Sequence, residues 1–208
     1  MSDVEEARQK LLKSLTDEGY LKSTGVIGAF ERVDRKNFVL EEHCKIAYAD
    51  CPLPIPGGVT MSAPHMHAIV LELLDLKNND DVLEIGFGSG ILLAYMGEIV
   101  KNGKIVGAEI KKETYEFGKA NLEKAGYEDL TLLNEDVIKC GARMGKFDKI
   151  AVSAAVKTIP DELTRLLKNR GRMIIPVGEY FQNLFVVEKN GNRIEKKSVG
   201  GVAFVPLR

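Results

Sequence analysis

Three glycines at alternate positions break an apolar run in Val82-Leu83-Glu84-Ile85-Gly86-Phe87-Gly88-Ser89-Gly90, and no other stretch constrains the fold as much. Val82, Leu83 and Ile85 suit a buried parallel strand, and the glycines let the backbone turn sharply and approach a ligand with no Cβ in the way. The chain after Gly90 reads as a helix, whose free N-terminal amides face the same ligand. The dinucleotide fingerprint needs a glycine at its sixth position, where this chain has Ile91. That favours a nucleoside ligand other than NAD. A second strand, Lys104 to Ile110, carries Glu109 about 20 residues beyond the loop, where an acid can accept ribose hydroxyls. A lone acid at a strand end is more often a surface residue, but that reading loses ground behind a glycine loop.

The 208 residues suffice for one domain with a full core, and 45% of them are apolar. With 29 basic against 30 acidic side chains, the net charge is -1. This argues against general electrostatic capture of nucleic acid. Cys44, Cys51 and Cys140 form an odd set without a C-x-x-C pair, so neither a disulfide framework nor a cysteine metal site is expected. The N-terminus opens directly on a charged amphipathic segment, and no long apolar span follows. A cytoplasmic location is therefore expected, with no membrane or nucleic-acid partner and no metal; a monomer is expected as well, although no sequence feature sets the oligomeric state.

Apolar residues from Val4 to Leu15 recur at helical spacing, with Ser2 or Asp3 as cap, and Thr24 is read as the cap of a second helix ending near Val33. The run Cys51-Pro52-Leu53-Pro54-Ile55-Pro56-Gly57-Gly58 reads as a shaped, ordered loop. Ser62 is available to cap a helix with Pro64 in its first turn, running to Asp75. Beyond the glycine loop, strands at 130–133, 147–153 and 172–176 alternate with helices at 113–125 and 159–167. Strands at 184–187 and 193–197 around Asn190-Gly191 read as a type I′ hairpin. The expected fold is α/β, a doubly wound and mostly parallel sheet, with ligands at the carboxyl ends of its strands. It carries an N-terminal helical lead-in and a C-terminal hairpin. We divide one domain, 1–208, into N-terminal helices and substrate loop (1–75), a ligand-binding core (76–178) and C-terminal strands (179–208).

Glu84 followed by G-x-G-x-G resembles motif I of the class I S-adenosylmethionine-dependent methyltransferases. More specific are Val33-Asp34-Arg35-Lys36-Asn37-Phe38-Val39, Ala47-Tyr48-Ala49-Asp50, Pro52-Leu53-Pro54-Ile55, Thr60-Met61-Ser62-Ala63-Pro64-His65-Met66 and Val202-Ala203-Phe204-Val205-Pro206-Leu207. Together these resemble the protein-L-isoaspartate O-methyltransferases from the first helices to the last residues. The resemblance implies a Rossmann-like fold and S-adenosyl-L-methionine as cofactor, held by Glu84, Gly86, Gly88, Ser89, Gly90, Glu109 and, at the adenine, Asp136. It implies isoaspartyl-containing proteins and peptides as substrate, with Thr60 and Ser62 as catalytic groups. Thr60, Ser62, His65, Val202, Phe204 and Val205 would then line the substrate side. The chain departs from the family pattern at Val59, Glu135 and Val137.

A carboxylate attacking a sulfonium methyl is already ionised at neutral pH and needs no base, so the lack of an evident triad fits. The site must align the reacting atoms and partly strip water from the nucleophile. Hydroxyls and backbone amides do this without quenching the anion. Plain alternatives remain for single residues: Ser62 or Asp136 as helix caps, and His67 as a surface or core residue. His65 and His67 lie on different faces of a helix and do not share a metal. For the chain as a whole, another carboxylate acceptor or a non-catalytic binding module also stays open.

Overall fold

The computed structural model describes residues 3–207. Two helices, α1 (Asp3–Asp17) and α2 (Thr24–Arg32), lead in, and α2 is capped by Ser23, not Thr24: its hydroxyl accepts from the Val26 amide at 3.4 Å. The Ser2 alternative for capping α1 lies outside the described residues. Two short 3-10 turns, Arg35–Phe38 and Glu41–Ile46, carry the chain to an antiparallel pair, β1 (Leu53–Ile55) and β2 (Val59–Met61). The proline-rich loop thus folds back on itself, burying Leu53 and Ile55 while Pro54 stays exposed. Its prolines tolerate this because a two-stranded ribbon leaves half of its amides unpaired.

Helix α3 spans Pro64–Leu74, and here the expected cap is corrected: Ala63 occupies the N-cap and Ser62 makes no capping bond. Asp50 supplies the acceptor instead, its carboxylate taking the His65 amide at 2.9 Å. The core follows as β3 (Val82–Ile85), α4 (Ile91–Ile99), β4 (Ile105–Ala108), α5 (Lys112–Lys124), β5 (Thr131–Leu133), α6 (Val137–Cys140), β6 (Phe147–Val152), α7 (Asp161–Arg165), β7 (Leu167–Val177), β8 (Gln182–Asn190) and β9 (Arg193–Val202). The sheet order is β5-β4-β3-β6-β7-β8-β9. The first five strands of that order run parallel, and β8 and β9 add antiparallel pairs. The order reverses between β3 and β6, the switch point at which open α/β sheets bind ligands. Every residue of β3 and β4 is buried, as expected of strands covered on both faces.

Helix α7 is shorter than the 159–167 expected, because Leu167 already pairs with Phe147 in the sheet. The hairpin turn is also corrected. Asn190 pairs with Arg193, so Gly191 and Asn192 form the loop, and among its residues only Gly191 has positive φ, at 61°. Glycine with positive φ at the first central position alone is the type II′ pattern, whereas type I′ needs positive φ at both. Two apolar clusters fill the sheet's faces. One joins the lead-in helices to α3 and α4 through Phe30, Phe38, Leu71 and Tyr95, and the other holds Leu83, Phe147, Ile150 and Met173. Among the described residues no helix is long and apolar enough to cross a membrane.

Candidate active site

Gly86, Gly88 and Gly90 have φ of 79°, 55° and 87°, so the loop after β3 follows a path that other residues adopt only with strain. It floors a cleft of about 880 Å³, open mouth included, at the carboxyl ends of β3 and β4. Ala108 to Lys111 form one wall, Glu135 to Ile138 another, and Val205 to Leu207 a third. Glu109 is 7% exposed, and its two oxygens accept from the Gly88 amide at 3.3 Å and the Lys111 amide at 3.0 Å. Its carbonyl takes the Asn134 side-chain amide at 2.7 Å. The carboxylate is thus fixed at the cleft before any ligand arrives. The Lys111 ammonium donates to the Gly57 carbonyl, and Thr114 Oγ1 to Pro56 O at 2.9 Å, tying the β1–β2 turn to α5.

Asp136 is both cap and wall: its carboxylate accepts from the Ile138 amide at 3.0 Å while the residue lines the cleft. Ser89 and Gly90 lie behind the cleft rather than on it. Ser89 is buried, its carbonyl held by Asn121, and Gly90 caps α4. Glu84 lies below the loop, 1% exposed, with one oxygen bonded to Ser153 Oγ at 2.8 Å and the other without a partner.

This donor and acceptor set fits S-adenosylmethionine. Glu109 suits a ribose diol, and Ile110 and Ile138, among the few exposed large apolar side chains, line the same cleft and suit a planar base. Glu84 lies beneath the loop, and its unsatisfied oxygen is a buried polar atom that the amino acid end of the cofactor would satisfy.

Burial is the main cause that pushes the Glu84 carboxyl up to about 8; the Ser153 hydroxyl opposes the shift and the Glu109 charge adds to it. Native Glu84 therefore keeps a proton that the unfolded chain releases near 4.5. The folded state is the more protonated one between those values, so stability falls as pH rises through that window. Glu84→Gln keeps the neutral shape and should flatten the slope, measured by urea unfolding between about pH 5 and about pH 8. Identical slopes in the two proteins would contradict it.

A second cleft of about 740 Å³, open mouth included, adjoins the first and is lined by Pro52, Ser62, His65, Met66 and Gly201 to Phe204. Thr60, Ser153 and Val205 border both. The terminal segment makes this border: Ala155 N donates to Val205 O and Leu207 N to Ala155 O, both at 2.8 Å, so residues 205–207 pair with the chain just beyond β6. His65 Nδ1 sits 2.9 Å from both Asp50 oxygens, beside the Tyr20 ring. His67 belongs to the core, and its imidazole is held neutral chiefly by burial and then by the Arg35 charge. Arg35, 1% exposed, donates to Ala47 O and Ser62 O, both at 2.9 Å, with His67 Nδ1 at 3.4 Å.

Thr60, Ser62, His65, Val202, Phe204 and Val205 are thus brought together, as are Gly86, Gly88, Glu109 and Asp136. Sequence reasoning missed Ser153 and Lys111 and gave no role to Asp50 or Arg35. Ser153 carries a readable signal, as the first polar residue after an apolar strand at the switch point. The others act through partners far away in the chain.

The family model for protein-L-isoaspartate(D-aspartate) O-methyltransferase matches residues 6–208. Protein-L-isoaspartate O-methyltransferase 2 of Archaeoglobus fulgidus is 44% identical, covering 99% of this chain and 94% of its own. The Thermococcus onnurineus protein-L-isoaspartate O-methyltransferase is 43% identical, covering 100% and 96%. A crystal structure of a candidate enzyme of this kind from Plasmodium falciparum, in complex with S-adenosyl-L-homocysteine, superposes with a TM-score of 0.87 at 30% identity, over 97% of this chain and 98% of that one. On the match of the full sequence and the full fold, this chain belongs to the protein-L-isoaspartate (D-aspartate) O-methyltransferase family.

Proposed function

We propose that this protein transfers a methyl group from S-adenosylmethionine to the free α-carboxylate of L-isoaspartyl residues in damaged proteins and peptides. The observation that carries the reading is the pair of adjoining clefts with Thr60, Ser153 and Val205 on their common border. One has the glycine floor and fixed carboxylate that suit a nucleoside. The other adjoins it and is lined mainly by residues from 52–66 and 201–205, two segments far apart in the chain. When bound, the cofactor supplies a methyl on a sulfonium.

The chain's own residues position and desolvate. Glu109 and Asp136 orient the nucleoside end. Thr60 and Ser62 hold the substrate carboxylate through their hydroxyls, which bind an anion without neutralising it. Val202, Phe204 and Val205 supply an apolar wall that excludes water from the nucleophile. His65, braced by Asp50, shapes the mouth of the substrate cleft. The ester product closes to a succinimide without further catalysis, and hydrolysis returns a share of normal aspartate. The three-part division of one domain fits this reading, since residues 1–75 and 179–208 each contribute to the substrate cleft.

Labelled methyl transferred to a peptide containing isoaspartate, measured beside the same peptide with normal aspartate, tests the activity. Base-labile label on the isoaspartyl peptide alone is expected, and label on neither peptide would overturn the assignment. Because Ser62 caps no helix, Ser62→Ala should leave the unfolding midpoint nearly unchanged. Loss of one hydrogen bond to a charged group should lower turnover at least about 10-fold. Equal falls in cofactor affinity and stability would instead make Ser62 a structural residue.

A further inference from the structure

Tyr180 and Phe181 form the tip of the turn between β7 and β8, 91% and 92% exposed. Among the described residues, the next most exposed large apolar side chain is Ile46 at 47%. Two adjacent aromatic rings left in water are costly, and such a patch marks a contact with another molecule.

The turn is held in place. Gly178 has φ 136°, and a Cβ there would collide with the Phe181 carbonyl, so the turn closes tightly on a residue that only glycine satisfies. The Gly178 amide donates to Val156 O at 2.8 Å, and Lys157 pairs with Glu179 at 2.8 Å, fixing the near side of the turn. On the far side, Gln182 pairs with Val202 in the sheet. Its side-chain amide grips Phe204 from both directions: Nε2 donates to Phe204 O at 3.0 Å and Oε1 accepts from the Phe204 amide at 2.6 Å. Val202 and Phe204 line the substrate cleft. The aromatic tip is therefore one residue along the chain from the side chain that braces the cleft wall.

We propose that Tyr180 and Phe181 are a docking site for apolar side chains of the substrate polypeptide several residues away from the reacting carboxylate. This rests on the activity proposed above. A polypeptide in the cleft continues past its rim, and each extended residue reaches about 3.3 Å further. Damaged proteins that have lost their packing expose apolar side chains near the altered residue, and rigid aromatic rings bind these at low cost in side-chain entropy. The pair would act on affinity and leave the chemical step alone.

Three isoaspartyl peptides test the docking against the full-length wild type and the double variant Tyr180→Ser, Phe181→Ser. One is short with small polar neighbours. The others add a Leu-Phe pair three to five residues away, on the N-terminal or the C-terminal side. Wild type is expected to show a KM at least about 10-fold lower for one extended peptide than for the short one, and the variant to lose that difference. The variant's kcat, and its KM for the short peptide, should be those of wild type. The docking is overturned by equal KM values for all three peptides in wild type, or by a uniform loss across them in the variant. It is likewise overturned if wild type sediments as a dimer that the variant converts to monomer, which would assign the rings to a contact between copies. Absence of transfer to any peptide by wild type overturns the activity itself, and the docking with it.

Discussion

Replacing Glu109 by alanine is expected to weaken S-adenosylmethionine binding about 100-fold in titration calorimetry. Hydrogen bonds to a charged group contribute about 1.5 to 3 kcal/mol, and about 2.7 kcal/mol is a hundredfold. The effect is placed near the top of that range because the carboxylate is pre-positioned by the Gly88 and Lys111 amides and by Asn134 on its own carbonyl. No ordering remains to be done when the ribose arrives. The same bonds give Glu109 a second duty, since alanine also frees the Gly88 amide in the glycine loop. Glu109→Gln separates the two: its oxygen can still accept one amide, and affinity should fall about 10-fold. Unchanged affinity in both variants would remove Glu109 from the cofactor site. A fall in unfolding midpoint that tracks the fall in affinity would assign it to loop structure.

The largest expected effect on stability comes from Arg35. Its guanidinium is buried, among the described residues it has no ion pair with a carboxylate, and its neighbours are the Ala47 and Ser62 carbonyls, the His67 ring and the Tyr95 hydroxyl. Burial pulls its pKa below the usual value, yet a guanidinium keeps its proton. Removing a buried ion is sometimes harmless when its partners go too, but here the partners are backbone carbonyls that stay behind. Each orphaned acceptor costs about 1 to 3 kcal/mol, so Arg35→Met should lose about 3 kcal/mol or more. For a chain of this size that lowers the midpoint by about 6 to 12 °C in a thermal scan. Arg35→Lys should recover only part, because one ammonium cannot reproduce the guanidinium's planar fork. A midpoint within 2 °C of wild type for the methionine variant, about 0.5 to 1 kcal/mol on the same scale, would show that water reaches both carbonyls.

Arg35 also marks a limit of reading from sequence. In the linear chain it is one cation in Asp34-Arg35-Lys36, beside a lysine that stays half-buried, and only the folded chain turns it fully inward. Ser62 shows the reverse case. Its place two residues before Pro64 makes it a natural cap on local grounds, but Asp50, 15 residues upstream of His65, takes that duty. The Ser62 side chain is left free to line the second cleft. Asp136 caps α6 and also lines the cleft, since an N-cap at a strand's carboxyl end lies at the ligand-binding edge of the sheet. The hairpin turn sits one residue later than the strong local signal Asn190-Gly191 predicts, because strand register, set by cross-strand packing, overrides it.

The sequence alone determined the strand-loop-helix unit around Gly86, the alternation of strands and helices, and the acid at the end of β4. These are local matters, decided by hydrophobic period, glycine conformation and turn chemistry within a few residues. Tertiary structure alone decided that Val205 stands between two clefts, that Ser153 bonds Glu84 below the glycine loop, and that Tyr180 and Phe181 stand in water next to Gln182, whose side chain binds the Phe204 backbone. Each depends on groups far apart in the chain, brought within bonding distance by the sheet order, which no local pattern encodes.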